Sequence, residues 1–229
     1  VGAISVAKRA GIGDVITFDM GGTSTDVCLI QGGRAEMAFG RSVAGFPVRL
    51  PSIDIHTVGA GGGSIAHLGR DGLLKVGPQS AGAVPGPACY GQGGVEATVT
   101  DANLYLGRLP ADLVGGGMRL AVAEAEAVIS RVAQQLRLGA RHAALGILRI
   151  VNSNMVRAIR AVSVERGFDP RRFALMPFGG AGALHAVDVA REMSIKKIIV
   201  PPAPGILCAE GVAVSDLEES FVATCRTPL

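Results

Sequence analysis

Asp19-Met20-Gly21-Gly22-Thr23-Ser24-Thr25-Asp26 is the stretch on which the reading of this chain turns. The apolar run Val15-Ile16-Thr17-Phe18 precedes it and Val27-Cys28-Leu29-Ile30 follows it. That order predicts strand, tight glycine turn, strand. Glycines in such a turn take positive φ and let the backbone approach a ligand with no Cβ in the way. Successive N–H groups, with the hydroxyls of Thr23, Ser24 and Thr25 beside them, can then converge on an anion. A carboxylate at the end of the first strand sits where it can hold a hydrated Mg²⁺ or orient a water. Asp19 takes that place, and Asp26 is the second candidate catalytic carboxylate. The pattern is that of a nucleotide-phosphate hairpin and not of a P-loop, because no Gly-Lys-Ser/Thr ending follows. A plain β-hairpin with a polar turn is the alternative.

Composition sets the class. Of 229 residues, 48% are hydrophobic, 33 are glycine, two are tyrosine and none is tryptophan. The chain can bury an aliphatic core and turns often. No apolar stretch reaches the roughly 18 residues needed to cross a bilayer, and residues 1–10 lack the pattern of a secretory leader. The net charge of +3 is scattered, so no nucleic-acid stripe exists. Cys28, Cys89, Cys208 and Cys225 form no Cys-x-x-Cys pair. The expectation is a cytoplasmic protein with reduced thiols, with neither nucleic acid nor membrane as partner.

Along the chain, residues 1–10 read as a short helix and 15–19, 27–31 and 35–39 as a β-meander. Residues 52–57 alternate as a further strand. The stretch 65–118 is rich in glycine and proline and reads as an irregular insertion with short strands. Helical periodicity takes over at 121–136 and 143–165, and Gly167 stops the second helix. A strand at 173–177, a helix opened by the glycines at 179–182 and a strand at 197–200 complete the order. Three antiparallel strands followed by alternating helices and strands is the order of an α/β ribonuclease-H-like domain, the unit that the actin–hexokinase–Hsp70 superfamily uses in pairs to clamp ATP.

Three further clusters carry chemistry. Pro177-Phe178-Gly179-Gly180-Ala181-Gly182-Ala183-Leu184-His185 places a helix N-terminus after a strand, a favourable seat for a nucleotide; close helix–strand packing explains the same glycines equally well. Asp54 and His56, spaced i, i+2, point to one face of a strand and are candidate metal ligands or an acid/base pair; a surface pair, or a buried His bonded to its neighbour, is the alternative. Beyond them Gly61-Gly62-Gly63 fits an anion cradle or a hinge. Asp101 is a helix N-cap or a group approaching the phosphate site. Cys89 reads as an inert thiol, and His185 as lining the cleft or capping a carbonyl. Asn152, Asn154, Arg157 and Arg160 read as the solvated face of their helix.

The chain resembles the hydantoinase/oxoprolinase family. The resemblance rests on Phe18 to Asp26, on Val58-Gly59-Ala60-Gly61-Gly62-Gly63-Ser64-Ile65, on Pro85-Gly86-Pro87-Ala88-Cys89-Tyr90-Gly91, on Arg166-Gly167-Phe168-Asp169-Pro170-Arg171 and on Phe178 to His185. These motifs run in family order over most of the chain. Where Gly205-Ile206-Leu207-Cys208-Ala209-Glu210-Gly211 carries Cys208, the family more often has Ser.

The resemblance implies ATP and Mg²⁺ as cofactors and a cyclic amide (a hydantoin, N-methylhydantoin or 5-oxoproline) as substrate, opened after phosphorylation of its amide oxygen. An ATP-dependent ketone carboxylase subunit, or a nucleotide-binding module without chemistry, are the alternatives. It further implies that residues 1–229 are one ATP-binding domain of a longer chain. The partners are then an N-terminal domain of that chain and a hydantoinase B-type subunit or domain, and the piece alone is inactive. On this reading Gly21, Gly22, Thr23, Ser24 and Thr25 hold phosphates. Asp19 holds Mg²⁺ through water or orients the nucleophile, and Gly179, Gly180 and Gly182 pack on the adenosine. Gly61, Gly62, Gly63 and Asp101 lie near the substrate or a hinge, and Asp54 and His56 near a metal.

Overall fold

The computed structural model describes residues 1–38, 40–43, 45–48, 50–113 and 117–217. Its elements follow in chain order: α1 (Gly2–Arg9), β1 (Val15–Met20), β2 (Thr25–Gln31), β3 (Arg34–Ala35), β4 (Met37–Ala38), β5 (Arg41–Val43), β6 (Phe46–Val48), β7 (Ser52–Ile53), β8 (His56–Val58), β9 (Ser64–Leu68) and β10 (Leu74–Ser80). Then come α2 (Val99–Tyr105), α3 (Val122–Leu136), α4 (Ala140–Val162), β11 (Ala174–Phe178), α5 (Gly182–Glu192), β12 (Lys197–Ile198) and α6 (Leu207–Ala213).

The central sheet runs β12-β11-β1-β2-β3, with β8 also paired to β2. β1 and β2 are antiparallel, while β1, β11 and β12 are parallel. An antiparallel meander continued by parallel strands on its far side is the ribonuclease-H-like arrangement. β1 is the middle strand, and its alternation sorts side chains to two cores. Ile16, Phe18 and Met20 join Val27 and Leu29 in the large cluster under α4, with Ile147, Val151, Met155 and Ile159. Val15, on the opposite face, joins Ile30, Met176 and Phe178 against Ala3, Val6 and Ala7 of α1 and Leu207 of α6. Each of these large aliphatic or aromatic side chains contributes about 1.5–3 kcal/mol by leaving water. That burial on both faces holds β1 and the start of the hairpin rigid.

Several expectations need correction. The strand foreseen at 52–57 is broken: β7 ends at Ile53, β8 starts at His56, and the two join different ribbons. The break falls at Asp54, whose N–H donates to Glu36 O and whose carboxylate turns to Arg166, both far from it in the sequence. The stretch 65–118 is more ordered than its glycines and prolines suggest. It holds the β9–β10 hairpin and α2, whose Thr98 and Asp101 form a reciprocal capping box. Helix α6 went unforeseen because Gly205 and Gly211 flank and interrupt its short apolar run. Residue 39, at the end of the expected meander, and Cys225 lie outside the described residues.

Candidate active site

β1 and β2 bring Asp19 opposite Asp26 and Met20 opposite Thr25. Residues 21–24 turn the chain, closed by Gly21 N–H donating to Ser24 O at 3.0 Å. Gly22 and Thr23 are exposed at the tip. The N–H groups of Gly22, Thr23 and Ser24 meet no acceptor among the described residues. Three consecutive donors at a turn flanked by two half-buried carboxylates form an anion-facing loop.

The triple glycine lies behind this turn. Gly62 N–H donates to Gly21 O at 3.0 Å and Gly63 N–H to Gly22 O at 2.6 Å. Gly61 N–H is taken by Ser64 Oγ at 2.8 Å. With its donors spent inside the protein, Gly61-Gly62-Gly63 braces the hairpin. Glycine is required here by close approach: a Cβ on Gly61 would lie 2.6 Å from the Gly22 carbonyl and from Thr23 N. Thr25 turns its hydroxyl inward to Ala60 O at 2.5 Å and Thr100 its hydroxyl to Gly62 O at 2.9 Å, which secures the brace. Thr23 Oγ1 lies 3.4 Å from Ser80 Oγ.

Asp19 is set from two sides. Cys208 of α6 donates its S–H to Asp19 Oδ2 at 3.2 Å. Gly179, at φ +79°, lies so close to Asp19 Oδ1 and the Met20 carbonyl that no side chain fits between. Burial pushes the Asp19 carboxyl above the usual range, the Cys208 contact opposes that and the facing Asp26 adds to it. The Cys208 thiol is pushed up to about 11, by burial first and by Asp19 second. Asp26 accepts from Thr57 Oγ1 at 2.5 Å. Beneath the pair lies a cavity of ≈ 360 Å³, lined by Asp19, Asp26 and Cys208 together with Ile30, Phe178 and Leu207.

The glycine turn into α5 divides in two. Gly179 and Gly182 pack on the end of β1, and Ala181 N–H donates to Met20 O at 2.9 Å. Gly180 faces open space. The turn therefore stands directly beside the hairpin base.

Other sequence candidates lie apart from this centre. Asp101 is buried at the third position of α2, where its carboxylate accepts from Cys89 N–H, Thr98 N–H and Thr98 Oγ1 at 2.7–2.9 Å. It is the capping-box carboxylate, three residues after the N-cap, a place that Thr98 and not Asp101 takes. Asp54 pairs with Arg166 at 2.5 Å, and Glu36 joins the same guanidinium at 2.9 Å. His56 is exposed on β8. Among the described residues no three His, Cys, Asp or Glu side chains are grouped to hold a metal ion. Mg²⁺ needs no such cage, because it keeps waters and takes one or two carboxylates beside phosphate oxygens. The Asp19–Asp26 pair fits that demand. His185 neither lines the cleft nor caps a carbonyl: it is fully buried, 2.7 Å from Asn152 Oδ1 and 3.3 Å from Asn103 Nδ2. Asn152 is likewise buried instead of solvated.

Sequence reasoning missed Thr57 and Ser80 as partners of the hairpin, Thr100 as a partner of its glycine brace, and Cys208 as a partner of Asp19. Thr57 and Thr100 lie within three and two residues of chemistry-bearing positions already singled out. Cys208 was visible as an unusual residue, but its helix was not.

Comparison with known proteins places the chain in a family. The family description Hydantoinase/oxoprolinase matches residues 1–221. The chain belongs to that family. It is 48% identical over 224 residues to the caprolactamase subunit alpha of Pseudomonas jessenii, covering 96% of this chain and 32% of that one. It is 40% identical over 225 residues to the 5-oxoprolinase PfmaA of Pestalotiopsis fici, covering 90% of this chain and 17% of that one. The crystal structure of the ATP-dependent caprolactamase from Pseudomonas jessenii superposes with a TM-score of 0.86 over 94% of this chain. A nucleotide-free acetone carboxylase structure, 29% identical, gives the same TM-score over 94% of this chain and 31% of its own. The chain thus spans about a third or less of these relatives. Among the described residues no helix is long and apolar enough to cross a membrane.

Proposed function

We propose that the full-length protein carrying this domain is an ATP-dependent cyclic amidase, opening a lactam, hydantoin or 5-oxoproline ring. The observation that carries this is the hairpin tip. Gly22, Thr23 and Ser24 present N–H groups that meet no acceptor among the described residues, between Asp19 and Asp26 and over a glycine brace. The likeness to a caprolactamase subunit and to a 5-oxoprolinase supports an amide as the acceptor.

When bound, ATP with Mg²⁺ would supply the phosphoryl group for the amide oxygen, which makes the amide carbon open to water so that the ring C–N bond breaks with a proton going to nitrogen, and a second water releases phosphate and leaves the carboxylate. This chain's share is positioning and charge stabilisation. The tip N–H groups hold phosphate oxygens. Asp19 and Asp26 hold the hydrated cation or orient the attacking oxygen. Gly180, with open space before it, lets a flat base or ribose approach the start of α5. An N-terminal domain of the same chain forms the opposite wall of the cleft, and a hydantoinase B-type subunit or domain completes the assembly. Ketone carboxylation is the second reading, favoured by the superposition on acetone carboxylase.

ATP turnover by the full-length assembly, measured with caprolactam, hydantoin, 5-oxoproline, or acetone plus bicarbonate, tests the reading. Turnover dependent on a cyclic amide is expected; dependence on ketone and bicarbonate transfers the protein to the second reading. Asp19→Asn should lower kcat at least about 100-fold with folding intact. Near-normal turnover would remove Asp19 from the mechanism.

A further inference from the structure

Asp19 is the group on which the proposed chemistry turns, and what fixes its carboxylate comes from the far end of the described chain. α6 has only seven residues, yet it is firmly seated. Leu207 is 1% exposed in the core shared with α1. α6 crosses α1 at a pair of glycines: a Cβ on Gly2 would meet Leu207 O at 2.6 Å, and one on Gly211 would meet Gly2 N at 2.7 Å. Arg9 and Glu210 close the crossing with an ion pair of 2.8 Å. The turn before α6 is tied to the hairpin side as well, because Gly179 N–H donates to Pro204 O at 3.0 Å.

We infer that Cys208 is a positioning residue: its thiol, delivered on this anchored helix, pins Asp19 Oδ2 while the backbone of Gly179 confines Oδ1. A carboxylate on a rigid strand end can still rotate about its own bonds. Contacts on both oxygens remove that freedom, and misplacement of a reacting group is expensive in rate. Cys208 touches no substrate in this account; it acts through Asp19. Thr57 does the corresponding service for Asp26, with a hydroxyl donor in place of a thiol. The inference rests on the functional reading of Asp19 given above.

The test uses the full-length assembly and four proteins: wild type, Cys208→Ala, Cys208→Ser and Asp19→Asn. Cys208→Ala is expected to lower kcat about tenfold, the worth of one hydrogen bond to a charged group, with the KM for ATP changed less than about threefold. Cys208→Ser, which restores a donor, should recover most of that loss. In a crystal of the Cys208→Ala protein the Asp19 carboxylate should be rotated or doubly conformed, with the hairpin itself unmoved. Should Cys208→Ala fail to fold, Cys208→Val gives a second measurement: it fills the site without a donor, so it should lose turnover about as Cys208→Ala would, while Cys208→Ser keeps it; equal turnover in the Val and Ser variants would overturn the inference. Equal kcat for wild type and Cys208→Ala, equal losses for the Ala and Ser variants, or an unmoved Asp19 in the crystal would each overturn the inference. If Asp19→Asn itself keeps normal turnover, the functional reading has failed and not merely the role of Cys208.

Discussion

Gly63 donates its N–H to the carbonyl of Gly22 at 2.6 Å, so the loop after β8 grips the β1–β2 hairpin from behind. The grip has two consequences. It orders a turn whose own sequence, rich in glycine, is conformationally free. It also spends the N–H groups of Gly62 and Gly63 on the carbonyls of Gly21 and Gly22, while the N–H groups of Gly22, Thr23 and Ser24 meet no acceptor among the described residues.

The brace should be intolerant of even a methyl group. A Cβ at Gly61 meets backbone, which cannot swing aside as a side chain can. Gly61→Ala should therefore destabilise the protein by about 1–3 kcal/mol, the usual penalty of overpacking. It should also weaken nucleotide binding, because the turn is pushed outward. Chemical denaturation and calorimetric titration with ATP read the two effects separately. Unchanged stability and affinity would mean that the hairpin does not rest on Gly61.

Asp101 should behave as a structural carboxylate. Its two oxygens satisfy Cys89 N–H, Thr98 N–H and the Thr98 hydroxyl, all in a buried setting. Asp101→Ala removes a cap and orphans two buried amide donors, so a loss of at least about 2 kcal/mol is expected. ATP affinity of the folded variant, measured by titration, should stay within about twofold. A marked loss of affinity at unchanged stability would instead put Asp101 in the binding site.

His185 makes the fold acid-sensitive. Burial lowers its pKa to about 4, with Arg108 acting in the same direction. The folded state therefore binds the proton more weakly than the unfolded chain, whose histidine titrates near 6.5. The contribution of the neutral ring is complete above about pH 6.5 and is lost as pH falls towards 4, by about 2 kcal/mol at pH 5. Asp19 carries the opposite sign, since its raised pKa favours folding at low pH. The His185 share is consequently read as the difference between wild type and His185→Gln in denaturant titrations at pH 7.5 and 5. Equal slopes with pH in the two proteins would contradict a buried neutral ring.

The α1–α6 crossing should tolerate no branched residue. Gly211→Val adds three carbons, the first of them against the backbone of Gly2. A drop in thermal midpoint is expected, together with loss of the Cys208–Asp19 contact. An unshifted midpoint would show that the helices need not meet so closely.

Much of this arrangement was legible in the residues. The hairpin was readable because its two apolar strands, its glycines and its flanking carboxylates are contiguous, so local rules suffice. Helices α3 and α4 were readable because their apolar residues repeat at 3.6 over three turns or more. What escaped depended on contacts across long sequence separations. Nothing near Asp54 announces Arg166, 112 residues away, and that ion pair breaks the alternating stretch into two short strands. Asn152 looks like a surface residue on its helix until His185, 33 residues on, is seen to need it as a partner. Cys208 lies 189 residues from Asp19, on a seven-residue helix too short to declare itself. The triple glycine was read as a cradle or a hinge because its composition permits either; its hydrogen bonds to the hairpin make it a support.

The central claim is that the hairpin tip grips the phosphates of a nucleotide. A crystal structure of the full-length protein with a non-hydrolysable ATP analogue and Mg²⁺ tests it most directly. The account predicts β- or γ-phosphate oxygens within hydrogen-bond distance of the N–H groups of Gly22, Thr23 and Ser24, with the cation's water shell on Asp19 or Asp26. A nucleotide bound elsewhere, with this turn open to solvent, would contradict it.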